Sequence, residues 1–322
     1  MAIWPAGWWR SARCAPSSPD PPREHGLGPV AAGVTTTLSF YPKTLSPSEV
    51  DFRFVPSPGC VAPGLQVWFS GDAGVSSNGS AVTTWYDRSP NSRDATQATA
   101  ANRPTFTGSN YLNGNPVLTF DGSNDQLAFP AAFTPAMNAF TAGEVFAVVK
   151  ESSTSGGVGT PYHFGGVDGY YTNGTGSNNL YNGFATNTRY GYNTLTLADV
   201  SAKTGMSMAG KPTLTTKDWN IYQAYGMTAD FGMGFNGSIF SSTATNVTSF
   251  AGTPWIGRNN AGNYFNGDLA ELILYNRKLS ANERAAIGSY LAIKWGKTSL
   301  ANYVNPSNAT VYDISTFGNN VA

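Results

Sequence analysis

The chain has 322 residues, and its 19 Lys and Arg balance 19 Asp and Glu, so the formal net charge is zero. Charged residues make up 12 %, about half the usual share, while Asn, Ser and Thr carry most of the polarity. No Lys/Arg stripe offers to neutralise phosphates, which excludes nucleic acid. Two histidines exclude His-rich metal centres, and no apolar run reaches the about 20 residues that span a bilayer.

In chain order, residues 1–58 come first and hold half of the 20 prolines, in runs such as SSPDPPREHGLGP. Chain of this kind reads as an extended or disordered arm, with one strand expected in GVTTTLSFYP (33–42). The start, MAIWPAGWWRSARCAP, lacks the continuous apolar stretch of an export signal. Cys14 and Cys60 are too few and too far apart to form a Cys-ligated metal site; they leave two readings, an extracellular disulfide between them and two unpaired thiols, and the second is preferred.

From residue 59 the pattern changes. LQVWFS, AVTTWYD, PVLTFDG, GEVFAVVKE, DWNIYQAYGM, FGMGFNGSIF, PWIGRN and GDLAELILYN are short runs rich in aromatic and β-branched types, separated by Gly, Asn, Ser and Pro. That spacing predicts an antiparallel sandwich or barrel. In FAVVK the apolar residues are nearly continuous, as in a strand covered on both faces. One helix is well marked, from about Ala281 to Trp295. Ser280 and Glu283 form a capping box, Ile287, Tyr290 and Leu291 share a face, and Gly296 is the stop. Residues 299–322 resume an extended, Asn-rich style and are read as a tail or the start of a further domain.

Three segments together resemble bacterial laminin-G-like domains of the concanavalin-A-like superfamily. The first carries a W-x-D-x-S-x-N segment in Trp85, Asp87, Ser89 and Asn91. The second carries R-P…NG-x-P-x-L-x-F-D-G-x-x-D in Arg103, Pro104, Asn113, Gly114, Pro116, Phe120, Asp121, Gly122 and Asp125. The third, FNGDLAELILYNRKLSANERAAIGSYLAIKWG, is similar to the closing strand and helix. The resemblance spans about residues 59–298 and implies a two-sheet antiparallel jelly-roll sandwich with one C-terminal helix packed on it. It also implies an extracellular or surface setting, where such domains bind glycans or proteins or act as spacers.

Chemistry is sparse. Asp121, Asn124 and Asp125 with Gly122 support two readings. One is a Ca²⁺ site of hard oxygen ligands, with Asp72 and Asp268 as possible companions; the other is an Asx turn bonding its own backbone. Asp268 and Glu271 are the nearest thing to a catalytic carboxylate pair, but strict alternation along a strand places them on opposite faces. Tyr162-His163 fails as a catalytic pair for the same reason, so no catalytic residue is assigned.

Aromatics are the better clue, because sugar rings stack their C–H faces on Trp and Tyr while amides and Arg read hydroxyls. The Tyr/Asn/Gly-rich stretch 170–193 nominates Tyr170, Tyr171, Tyr181, Arg189, Tyr190 and Tyr192 as a ligand-binding surface. Trp255, Arg258 and Asn259 with Tyr264 form a second candidate. The N-x-S/T sequences at Asn78, Asn173, Asn236, Asn246 and Asn308 are read as Asn-rich loops. The leading expectation is a recognition module for a glycan or surface protein. Self-association as a filament, stalk or appendage subunit is the alternative, and a polysaccharide-degrading enzyme comes last.

Overall fold

The computed structural model describes residues 57–107, 109–152, 158–164, 179–181, 189–191, 218–244, 250, 252–260, 262–299, 301–305 and 307–313. The arm, with its expected strand at 33–42, lies outside them up to residue 56.

A seven-stranded antiparallel sheet runs in the order Leu65–Ser70, Asn266–Tyr275, Ala142–Glu151, Asn220–Met227, Asp230–Phe235, Ser238–Thr243, with Leu118–Asp121 also paired to Asn266–Tyr275. Facing it, a six-stranded sheet runs Tyr162–His163, Trp255–Ile256, Leu127–Ala128, Ala95–Thr96, Ala81–Trp85, Val75–Asn78. Val67, Phe69, Val145, Ala147, Val149, Tyr222, Leu272 and Leu274 from the first sheet meet Val82, Trp85, Ala95, Leu127, Tyr162 and Ile256 from the second in one core. The expected all-β two-sheet sandwich is therefore present. A short helix, Phe133–Asn138, that the sequence pattern did not reveal adds Phe133 and Met137 to that core.

The seven-stranded sheet is buried on its other face as well. Trp68, Phe146, Val148, Ile221, Ile273 and Tyr275 point away from the sandwich interior and pack under the helix Ala281–Lys294 through Ala286, Ile287, Leu291 and Ala292. Two apolar layers on one sheet require strands that are apolar at nearly every position, which is why FAVVK and LAELILY lack alternation. The helix begins as expected, with Ser280 and Glu283 bonding each other's backbone N–H in a capping box. The turn Pro58–Cys60 lies against it so closely that a Cβ at Gly59, which sits at φ +60, would come 2.7 Å from the Ala286 carbonyl carbon. Only glycine fits there. Cys60, next in the chain, is disulfide-bonded, which corrects the expectation of unpaired thiols; Cys14 lies outside the described residues. Beyond the helix, where an extended tail was expected, Tyr303–Val304 and Thr310–Tyr312 form a small hairpin whose Tyr303 is buried under the helix.

At the junction of sheet and helix stands Glu271, wholly buried. The register between Asn266–Tyr275 and Ala142–Glu151 shifts between Leu269 and Glu271, a bulge that turns Glu271 toward the helix beside Ala270. There it accepts from Trp68 Nε1 at 2.7 Å, Trp295 Nε1 at 2.7 Å, Tyr290 Oη at 2.8 Å and Ser70 Oγ at 3.2 Å. Lys294 Nζ lies 2.9 Å from the same carboxylate and 2.9 Å from Asp72. A second buried carboxylate, Glu144, receives Arg284 at 2.6 and 3.0 Å and the Leu279 N–H at 2.8 Å. The two acids anchor the end and the start of the helix to different strands.

The W-x-D-x-S-x-N residues close the exposed edge of strand Leu65–Ser70. Asp87 accepts from the backbone N–H of Trp68, Ser89 and Arg93, each at 2.9 Å, and from Ser89 Oγ at 2.7 Å. Asn91 Nδ2 donates to the Leu65 and Gln66 carbonyls, while Arg93 NH1 donates to Gln66. The groups an edge strand would otherwise offer to a neighbour are thereby used.

Two stability outcomes follow. Glu271→Ala strands two indole N–H groups and leaves the Lys294 ammonium only Asp72 of its two carboxylates, so it should cost ~3–5 kcal/mol in denaturant unfolding, while Glu271→Gln, which keeps the shape and some acceptors, should cost less. Asp87→Ala should cost ~2–3 kcal/mol and raise concentration-dependent aggregation, read by light scattering, because it reopens the sheet edge.

Candidate functional site

The carboxylates come first, because catalysis on a glycan would need a free pair. The bulge overturns the expectation that Asp268 and Glu271 face opposite sides: both point to the helix-covered face of the sheet. Each is nonetheless consumed locally. Asp268 takes Asn110 Nδ2 at 2.8 Å, Thr119 Oγ1 at 2.7 Å and Lys150 Nζ at 2.8 Å, and is 4 % exposed. Glu271 is saturated as described above.

The acidic turn forms a tight local network. Asp121 Oδ1 accepts from the N–H groups of Ser123 at 2.8 Å, Asn124 at 3.2 Å and Asp125 at 3.4 Å, and Asp125 Oδ2 accepts from the Asp121 N–H at 2.9 Å. This is Asx-turn geometry. Among the described residues, no group of three or more His, Cys, Asp or Glu is placed to hold a metal ion. Burial, reinforced by the Asp121 charge, pushes the Asp125 carboxyl up to about 6.

Of the tyrosine-rich surface, Tyr170, Tyr171 and Tyr192 lie outside the described residues. Tyr181, Arg189 and Tyr190 fall on an antiparallel strand pair, Asn179–Tyr181 with Arg189–Gly191, in which Tyr181 stands opposite Arg189 and Leu180 opposite Tyr190. The first of these strands also runs parallel to Val158–Gly159.

The second aromatic candidate is built more completely. On the six-stranded sheet, Tyr162, Ile256 and Leu127 point into the core. Their neighbours His163, Trp255 and Ala128 stand directly opposite one another on the outer face, continued by Thr96 and Thr84. Beside half-buried Trp255 the floor is formed by small side chains, half-buried Ala128 and then exposed Thr96. Strand Trp255–Ile256 ends at Gly257, whose φ of +85° turns the chain; a Cβ there would come 2.4 Å from the Phe120 ring. The turn brings Arg258 back over Trp255, its guanidinium carbon 4.5 Å from one indole ring centroid and 5.6 Å from the Tyr264 ring.

Polar side chains hold this stack in place. Arg258 donates from Nε to the Asn259 carbonyl at 2.9 Å and from NH1 to Gln126 Oε1 at 3.0 Å and Tyr264 Oη at 3.4 Å. Trp255 Nε1 donates to Asn260 Oδ1 at 3.1 Å, and Asn260 Nδ2 lies 3.0 Å from His163 Nε2. With the Asn260 oxygen engaged by the indole, its amide nitrogen donates and the imidazole accepts, so His163 is neutral. Burial, helped by the Arg258 charge, pushes its pKa down to about 4. Asn259 has a different task from the one expected: it is buried, and its Oδ1 takes the Asn263 N–H at 3.0 Å, closing the loop that carries the stack. Sequence reasoning found Trp255, Arg258 and Tyr264 but missed Gln126, Asn260 and His163 as their partners. Of these only Asn260 is near in sequence, and only the strand register reveals the other two.

No protein-family model matches the chain, and no curated protein matches it. Among solved structures, the sialidase of Trypanosoma rangeli superposes with a TM-score of 0.44 at 16 % identity, covering 76 % of this chain and 35 % of the sialidase. Domain 4 of an extracellular GH43 arabinanase from Geobacillus stearothermophilus, in complex with arabinotriose, gives 0.44 at 14 % identity, covering 70 % of this chain and 98 % of that domain. A GH54 α-L-arabinofuranosidase gives 0.45 at 15 % identity, covering 66 % and 50 %. The chain spans about a third of the length of the sialidases it matches. Likeness at this level leaves function to be argued from the site.

The two shifted groups pull stability in opposite directions. The raised pKa of Asp125 means the folded state holds a proton the unfolded chain releases, so its contribution falls as pH rises toward 6. The lowered pKa of His163 means the unfolded chain takes a proton the folded state refuses, so its contribution falls as pH drops from 6.5. Between pH 6.5 and 5, Asp125→Asn should make unfolding midpoints drop more steeply on acidification than in the parent chain. His163→Gln should shift the same slope the other way.

Proposed function

We propose that the outer face of the six-stranded sheet, centred on Trp255, is a carbohydrate-recognition site, and that the domain binds glycan rather than cleaving it. The observation that carries this is the Trp255–Arg258–Tyr264 stack, locked by Gln126 and Asn260 beside a low floor of Ala128 and Thr96. A half-buried indole whose N–H is already satisfied offers an apolar surface without a desolvation penalty at its edge. A guanidinium and amides around it supply donors and acceptors for hydroxyl groups, already held in place by their mutual bonds. The residues that form the stack include no pair of carboxylates of the kind glycoside cleavage uses. An extracellular or surface setting and a sandwich of the laminin-G-like kind belong to the same reading, supported by the low charge and the Asn/Thr-rich composition.

Removing a central aromatic anchor typically costs ~1.4–2.8 kcal/mol, or 10- to 100-fold in affinity. Trp255→Ala should therefore weaken binding by that factor in fluorescence titrations or pull-downs with oligosaccharides and insoluble polysaccharides. Tyr86→Ala, at an exposed tyrosine, should bind like the parent chain. Equal binding by Trp255→Ala and the parent, with unchanged circular dichroism, would remove the site from consideration, and the tyrosine-rich stretch would be the next to test.

A further inference from the structure

Half of the described basic side chains form an ion pair, and Arg88, Arg93, Arg103, Lys297 and Arg258 do not. Lys150, Arg277, Lys278, Arg284 and Lys294 each sit against a carboxylate, namely Asp268, Glu283, Asp230, Glu144, and Asp72 with Glu271. Arg258 does not. All three of its acceptors, the Asn259 carbonyl, Gln126 Oε1 and Tyr264 Oη, are neutral, and among the described residues no carboxylate pairs with it. A guanidinium has five N–H donors. The Nε proton and the two on NH1 account for the three bonds, so NH2 keeps both of its donors.

The surroundings preserve that positive charge. His163 stays neutral beside it, and the Trp255 and Tyr264 rings exclude water from the flanks of the guanidinium without neutralising it. Half-burial makes an unpaired cation more costly to keep and its attraction for an anion stronger than on an open surface. Two aromatic rings, two amides and one unpaired guanidinium suit a sugar ring that carries a negative group at its rim.

We infer that the ligand of this site is an acidic glycan, whose carboxylate is received by Arg258 NH2 while the ring of the same or the adjoining sugar lies along Trp255. This rests on the carbohydrate reading above. It adds the substrate class and makes Arg258 the residue that sets specificity. A carboxylate fits better than a compact dianion, because only one nitrogen with two donors is free and the neighbouring acceptors, Gln126 and Tyr264, are suited to hydroxyl groups.

The test uses the full chain on a panel in which each acidic oligosaccharide, uronate-containing or sialylated, stands beside its methyl ester, with sulfated oligosaccharides as a third arm. The parent chain should favour acids over their esters by 10-fold or more at low salt, and the preference should shrink at 0.5 M NaCl as the charge interaction is screened. Arg258→Gln should bring the acid-to-ester ratio to about one, whatever happens to absolute affinity, while Arg258→Lys should keep it above one. Measuring the ratio and its salt dependence on the parent chain keeps the test valid if a variant folds poorly. Equal binding of acids and esters overturns the inference and leaves the carbohydrate reading standing. A preference for sulfated sugars over carboxylates overturns the carboxylate assignment. Binding to no member of the panel, acidic or neutral, overturns both.

Discussion

The rest of the described fold depends on a charge kept out of water. Glu271 lies at the centre of the sandwich's covered face, and a carboxylate there survives only if every lone pair is answered. The answers come from Trp68 and Ser70 on the neighbouring strand and from Tyr290, Lys294 and Trp295 on and just beyond the helix. A hydrophobic contact would let the helix slide along the sheet. A carboxylate fixed by two indoles, a phenol and an ammonium admits one register. The bulge that aims Glu271 outward is therefore part of the fold's specification rather than an irregularity in it.

This arrangement also bears on the binding site proposed above. The helix covers the centre of one face of the seven-stranded sheet and the second sheet covers the other. The outer face of the six-stranded sheet carries the more open row, from Trp255 across Ala128 to Thr96 and Thr84. Five described basic groups are spent on ion pairs, while Arg258 lies between two aromatic rings with neutral acceptors only.

Local patterns were legible where the cause is local. The capping box of Ser280 and Glu283, the helix stop near Gly296 and the doubly covered strands follow from spacing and composition. The W-x-D-x-S-x-N residues were visible as a motif, but their task was not, since Asp87 and Asn91 act on strand Leu65–Ser70, some 20 residues earlier. Alternation failed at Asp268 and Glu271 because a bulge is decided by the partner strand, which the sequence of one strand does not contain. The short helix Phe133–Asn138 escaped because its six residues are too few for a period to show.

The sequence by itself determined the class: short strands with turn signals, one capped helix, a weakly charged surface and an aromatic loop segment at 255–264. The tertiary structure alone assembled the candidate site, because His163 and Gln126 precede the segment of Asn260 and Arg258 by 97 and 132 residues and are brought to it by antiparallel pairing. It also decided the charge states that matter. Whether His163 is neutral, or Arg258 unpaired, depends on which groups lie within a few ångströms, and that distance is set by packing rather than by position along the chain.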